Sequence, residues 1–196
     1  RNGRCVLGIT VSQWNDKSGN GRNASQATAA SQPTYFQNVN YFRFSEEFDN
    51  AIWSKIGSTV VADQTTSPFG TNTADKIYPT ATGIQYTGQT ASNTVSGTYT
   101  ASCFFKQENK SKAWIQITMG ANGSFVAIDL TNGTVGSIGV TNGAGLSGAS
   151  ARARAYDNGW YRLELTFTWE NGSIQLFCGP CDALTARTVA VNGTDG

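Results

Sequence analysis

Eight Asn-Gly dipeptides punctuate the 196-residue chain, and short runs of alternating apolar and polar residues lie between most of them. Asn and Gly both tolerate the positive φ angles that the two central residues of a type I′ hairpin turn require. Alternating runs bounded by such turns are typical of antiparallel β-sheets. The sequence therefore predicts an all-β protein, folded as an antiparallel sandwich or barrel.

The alternating runs also predict which side chains are buried. In residues 112–119, Ala113, Ile115 and Ile117 fall on one face, because successive side chains of a strand point to opposite sides. Only residues 46–55 offer a helical turn. The other predicted strands are residues 59–62, 74–78, 84–89, 98–105, 125–130, 161–169, 174–177 and 185–191.

Polar and apolar residues are distributed unevenly along the chain. Residues 13–34 are rich in Ala, Ser, Asn and Gly and show hardly any apolar periodicity. We therefore expect residues 1–40 to form an extended N-terminal arm or linker, and residues 41–196 to form the sandwich domain.

Composition excludes several functional classes. Fourteen Lys and Arg residues against 13 Asp and Glu residues give a balance too even for a nucleic-acid-binding protein, which needs a clustered basic surplus. The sequence contains no run of about 18 apolar residues, so no membrane span is predicted. The chain has no histidine, which excludes Ser-His-Asp triads and histidine-based zinc sites.

The four cysteines, Cys5, Cys103, Cys178 and Cys181, allow three pairings between which the sequence does not choose. Cys103 lies in an apolar strand pattern and is expected to be a buried thiol. The Cys-Gly-Pro-Cys sequence at residues 178–181 resembles a redox motif, but no helical pattern follows it to lower the pKa of its first thiol. A Gly-Pro turn is expected there, either with free thiols or closed by a Cys178–Cys181 disulfide.

Two stretches of sequence resemble known domains. The segment WNDKSGNGRNASQ at residues 14–26 is similar to one stretch of concanavalin-A-like (laminin-G-like) domains. Five later segments, in order and spacing, are similar to a jelly-roll domain of bacteriophage tail and virion proteins that is related to carbohydrate-binding modules. These segments are FSEEFDNAIWSK (44–55), SPFGTNTADKI (67–77), SGTYTASCFFK (96–106), IDLTNGTVG (128–136) and NGWYR (158–162).

The second resemblance implies a jelly-roll β-sandwich on the surface of a phage particle, and hence an extracellular virion protein. It implies host-surface polysaccharide as a ligand, and other virion subunits, including copies of the same chain in an oligomer, as partners. Such domains end in an apolar strand after a segment like residues 185–196. The sequence stops at Gly196, so we expect either that the last strand is lost or that another chain or the N-terminal arm supplies it.

Strand parity selects candidate ligand-binding residues. If Ile115 faces the core, its neighbours on the same strand face outward, and the flanking strands contribute further outward aromatic side chains. Aromatic rings stack on the apolar faces of sugars, and amides bind sugar hydroxyls. The alternative is that these rings pack under a loop or against another subunit. The predicted carbohydrate site comprises Phe104, Trp114, Gln116 and Phe125, with Tyr86 as an addition.

The acidic residues do not predict catalysis. Glycosidases need two carboxylates about 5–10 Å apart in a cleft. Glu46, Glu47, Asp49, Asp129 and Glu164 show no such pairing and are read as exposed, solubilising side chains. We expect no enzyme activity and no cofactor, although a jelly roll also accommodates a structural calcium ion whose ligands the sequence does not identify. Two hypotheses remain: a glycan-binding adhesion module, and a structural virion protein such as a capsid decoration or fibre subunit.

Overall fold

The computed structural model describes residues 5–10, 13–14, 20, 24–28, 34–93, 96–170 and 172–191. These residues form strands and turns, and no α-helix occurs among them, so the all-β prediction is confirmed. The strands are β1 (Cys5–Thr10), β2 (Gln13–Trp14), β3 (Ala24–Ser25), β4 (Thr34–Val39), β5 (Ser54–Ile56), β6 (Ser58–Thr65), β7 (Ala74–Pro79), β8 (Gly83–Ile84), β9 (Tyr86–Asn93), β10 (Gly97–Lys106), β11 (Lys112–Met119), β12 (Asn122–Asp129), β13 (Gly139–Val140), β14 (Ser150–Ala155), β15 (Trp160–Trp169), β16 (Gly172–Pro180) and β17 (Thr188–Val189).

The chain divides into two compact units, one within Arg4–Asn40 and one beginning at Tyr41. In the described part of the first unit, β1 pairs with β4 and β2 pairs with β3, both antiparallel. This part of the chain therefore contains β-structure of its own, and its role as an arm stays a prediction. Most of residues 14–26, which carry the laminin-G-like resemblance, lie outside the described residues.

The second unit is built from two principal antiparallel sheets. The larger has six strands in the order β13-β12-β11-β16-β9-β5, and the smaller has three in the order β10-β15-β14. Strands β11 and β12 of the larger sheet lie close to β15 of the smaller one. Ile115 and Ile117 on β11 and Leu163 and Leu165 on β15 are fully buried, so the apolar faces that the sequence predicted meet in a sandwich core. The jelly-roll order of the strands stays a prediction.

The Asn-Gly turns agree with the structure in part. Asn158 and Gly159 adopt φ angles of 59° and 78° before β15, as a type I′ turn requires. One of the eight Asn-Gly dipeptides, at residues 122–123, does not form the turn expected of it: the turn between β11 and β12 falls at Gly120 and Ala121, and Met119 pairs with Asn122. Gly120 already supplies the positive φ of 58° there, so Asn122 begins the next strand.

The helical turn predicted at residues 46–55 is a series of tight turns. The backbone N–H groups of Glu47, Asn50 and Trp53 each donate to the carbonyl three residues earlier. Trp53 is buried, and its indole N–H donates to the carbonyl of Phe44 over 2.8 Å. The expected missing last strand depends on residues 192–196, which lie outside the described residues.

The described cysteines, Cys103, Cys178 and Cys181, are buried free thiols. Cys178 pairs in register with Ile115 and so faces the core, where its thiol meets that of Cys103. Cys181 packs instead against Trp114, on the other side of the larger sheet. A Cys178–Cys181 disulfide is therefore absent, because the two side chains point to opposite faces.

Burial predicts that these thiols resist alkylation. The hydrogen bond with Cys103, together with burial, raises the pKa of Cys178, and burial raises the pKa of Cys181 to about 12. Since the thiolate is the reactive form, a Cys5→Ser variant should take up almost no iodoacetamide at pH 8. Mass spectrometry should show three adducts after unfolding in guanidinium. Rapid labelling of the native protein would contradict this arrangement. So would an intact mass 2 Da too low, because forming a disulfide removes two hydrogens.

Candidate functional site: an aromatic face under an arginine

The outer side of the larger sheet carries a row of aromatic side chains. Gln116 lies opposite Phe125 on β12 and Phe177 on β16, and residues opposed in register share a face of the sheet. The Tyr86 ring centroid lies 6.3 Å from that of Trp114 and 4.9 Å from that of Phe177. We call these four rings, Tyr86, Trp114, Phe125 and Phe177, the aromatic face.

Four of the five predicted site residues meet on this face, but the prediction that it is open is wrong. Trp114 has no exposed surface, Gln116 is 4% exposed and Phe125 is 7% exposed. Residues 181–191, the covering segment, pack over them, with Cys181 and Leu184 against Trp114. The alternative of packing under a loop therefore describes Trp114, while Tyr86 and Phe177 remain half-buried at the margin.

Hydrogen bonds hold the covering segment in a closed loop. The backbone N–H of Asp182 donates to the carbonyl of Thr188 over 3.0 Å, and the N–H of Ala190 donates to the Asp182 carboxylate over 2.6 Å. The ammonium of Lys110 donates to the Ala190 carbonyl over 2.8 Å. Of the strand predicted at residues 185–191, only Thr188–Val189 forms, paired with β8. The loop is therefore anchored at both ends.

Arg187, in the middle of this loop, is the residue that sequence reasoning missed. Its guanidinium carbon lies 5.8 Å from the Trp114 ring centroid and 5.3 Å from that of Phe125, within the range of cation–π attraction. Its Nη1 donates to Oε1 of Gln116. Burial lowers the pKa of Arg187, yet an arginine side chain stays cationic at neutral pH. Arg187 forms no ion pair with any described carboxylate.

Polar groups close one end of the aromatic face. Nε2 of Gln116 donates to the Thr118 hydroxyl over 2.7 Å, which leaves Oε1 to accept from Arg187. A Cβ built on Gly123 would lie 2.1 Å from the Thr141 hydroxyl and 3.3 Å from that of Thr118, so both hydroxyls converge there. The Thr141 hydroxyl oxygen is buried and has no hydrogen-bond partner among the described residues. A buried hydroxyl without a protein partner is suited to a bound water.

Phe104, the fifth predicted site residue, lies elsewhere. Its strand β10 pairs with β15 of the smaller sheet, so adjacency in sequence to β11 does not make the two strands neighbours. Its ring contacts Phe69 and Tyr156, with centroid distances of 5.5 and 5.0 Å. The prediction that Phe104 shares a face with Trp114 is therefore wrong.

The prediction that all the acidic side chains are exposed is wrong for Glu164. Glu164 is 3% exposed, not a solubilising surface group, and it lies among three arginines. Asp129 accepts hydrogen bonds from the hydroxyl and N–H of Thr131, which lower its pKa, and pairs with Lys112 over 3.3 Å. Among the described residues, no three His, Cys, Asp or Glu side chains gather into a set suited to a metal ion.

Comparison of the sequence with protein-family models and with curated proteins finds no significant match. Within the described ranges, no helix combines the length and the apolar character needed to cross a membrane.

Proposed function

We propose that this chain is a non-enzymatic surface protein of a bacteriophage particle and adheres to glycans of the host surface. The phage assignment is supported by the sequence resemblance over residues 44–162. Glycan binding is supported by one observation above the others: Arg187, a cation without a carboxylate partner among the described residues, lies against two aromatic rings and is oriented by Gln116.

The chemistry of this arrangement suits a sugar. Half-buried Tyr86 and Phe177 offer aromatic surface at the margin of the covering segment, against which the C–H face of a pyranose packs. The guanidinium of Arg187 supplies donors in a planar fork for a sugar hydroxyl or carboxylate oxygen. Many copies on one particle make a weak single-site affinity sufficient through avidity.

A glycan array tests this proposal with a substitution that leaves the sheet intact. Wild-type protein should bind a defined set of sugars, and Arg187→Met should weaken that binding at least about tenfold, the loss expected for a charge-assisted hydrogen bond. Arg43→Met is the matched control, because Arg43 also lies over an aromatic ring, Phe44, but outside this face. Equal binding by wild type and Arg187→Met would contradict the site.

A structural virion role is the second candidate, and the edges of the larger sheet favour it. Val140 on edge strand β13 is 57% exposed, and Ile56 on the opposite edge strand β5 is 49% exposed. Apolar side chains on unpaired edges invite pairing with another chain. Under this alternative, wild type binds no sugar and forms an oligomer in sedimentation analysis, which Val140→Lys together with Ile56→Lys would dissociate.

A further inference from the structure

The outer side of the smaller sheet carries a cluster of guanidinium groups around one carboxylate. Arg152 contacts Glu164 directly, and the Nε atoms of Arg162 and Arg154 lie 3.4 and 3.9 Å from its other oxygen. The side chains of Arg152 and Arg154 are 63% and 54% exposed, whereas that of Glu164 is 4% exposed. The three cations therefore cover their shared counter-ion, and Arg152 and Arg154 present their outer edges to solvent, whereas Arg162 is largely buried.

The charges in this cluster do not balance. Three arginines against one glutamate leave a local surplus of two positive charges, in a chain whose total formal charge is +1. Arg154 lies directly opposite Arg162 in the register of β14 and β15, and like charges in opposed cross-strand positions are destabilising. The surplus positive charge and the exposed guanidinium edges of Arg152 and Arg154 are suited to an anionic ligand.

Aromatic side chains border the same cluster. The guanidinium carbon of Arg162 lies 5.8 Å from the ring centroid of Phe104. Phe69, 55% exposed, and Tyr156, 37% exposed, flank that ring. Exposed rings beside exposed guanidinium groups match a ligand that carries both an apolar ring face and an acidic group.

We propose that this face, made of Arg152, Arg154, Phe69, Phe104 and Tyr156, is a second binding site, which takes a segment of an acidic polysaccharide. Acidic groups pair with Arg152 and Arg154, and the sugar rings pack on the aromatic side chains. Duplex DNA is a poorer fit, since affinity for it grows with the number of phosphates neutralised and two exposed arginines neutralise few. The inference rests on the proposed function only in taking glycans as the ligand class.

Calorimetric titration with defined oligomers tests the second site. The probes are an octamer of α-1,4-linked galacturonic acid, a sulfated heparin octasaccharide, neutral maltooctaose and a 20-base-pair DNA duplex, at low salt. We expect wild type to bind at least one acidic octamer and not bind maltooctaose at this face. Arg152→Gln/Arg154→Gln should weaken acidic-octamer binding at least about tenfold, and added salt should weaken wild-type binding, because exposed charges are screened.

The matched control removes two positive charges outside both proposed sites. Arg43 lies over Phe44, and Lys55 donates to the carbonyls of Asp49 and Asn50. Arg43→Gln/Lys55→Gln has the same net charge as the test variant and should retain the acidic octamer. Three results would overturn the inference. Arg152→Gln/Arg154→Gln could retain acidic-octamer binding, the control variant alone could lose it, or wild type could bind neither acidic octamer. Tighter, Arg152- and Arg154-dependent binding of the DNA would overturn it in favour of nucleic acid. The aromatic-face proposal is tested separately on the glycan array, where it fails if Arg187→Met binds as wild type does.

Discussion

Trp114→Ala is expected to lower the free energy of unfolding by about 3–5 kcal/mol, the cost of truncating a large aromatic side chain in a closed core. Trp114 has no exposed surface, and its indole N–H donates to the carbonyl of Pro180 over 3.0 Å. Truncation leaves a cavity between β11 and the covering segment and removes the ring on which Arg187 rests. Urea unfolding followed by circular dichroism measures the loss.

The control for this prediction is Phe69→Ala. Phe69 is 55% exposed, so its truncation should change stability by less than about 1 kcal/mol. Similar losses in the two variants would show that Trp114 is not a core residue. Loss of glycan binding in Trp114→Ala would therefore report a disturbed fold. For this reason Arg187 is the residue to substitute in binding studies.

Gly179→Ala is the second substitution for which a large loss is expected. Gly179 lies opposite Trp114 on β16, and a Cβ at this position would fall 2.2 Å from the carbonyl oxygen of Gln85. That obstacle is backbone, so no side-chain rotation relieves the clash. The start of β9 would have to move, carrying Tyr86 with it. Overpacking of this kind costs about 1–3 kcal/mol and occasionally more, and we expect the upper end.

Gly97→Ala provides the comparison for Gly179→Ala. Gly97 also lies in a strand, but a Cβ there would meet only the Tyr99 ring at 3.4 Å, an ordinary contact. Its effect on the denaturant midpoint should be close to zero. If Gly179→Ala proved as stable as Gly97→Ala, the close approach of β16 to the chain before β9 would be contradicted.

Local periodicity was sufficient to predict most of the long strands, but not how they pair into sheets. The prediction of β11 at residues 112–119 matches the structure, and Ile115 and Ile117 lie in the core as parity requires. Residues 150–155 show the same kind of signal, since Ala and Arg alternate there, yet no strand was predicted for them. Alanines are small and arginines polar, so the apolar face of β14 is easily overlooked, and with it the guanidinium cluster.

The environment of the aromatic face could not be predicted in the same way. Parity gives the side of a sheet to which Trp114 points, but it does not show whether a distant segment covers that side. The covering segment is held by contacts such as Lys110 with Ala190 and Asp182 with Thr188. These depend on the three-dimensional path of an irregular loop, which leaves no periodic trace at Arg187. Phe104 was misplaced for a related reason, since neighbouring strands in sequence here belong to different sheets.

An NMR titration of the isotope-labelled protein with the tightest-binding sugar of the array tests the aromatic face most directly. The reporters are the side-chain N–H signals of Trp114, Gln116 and Arg187, three groups that meet at this face. We predict that the sugar shifts the Arg187 and Gln116 signals most. The indole N–H signal of buried Trp114 should shift less, because the sugar affects it only through Arg187, which lies over its ring. Shifts confined to other parts of the protein, with these three signals unmoved at saturation, would contradict a glycan site at the aromatic face.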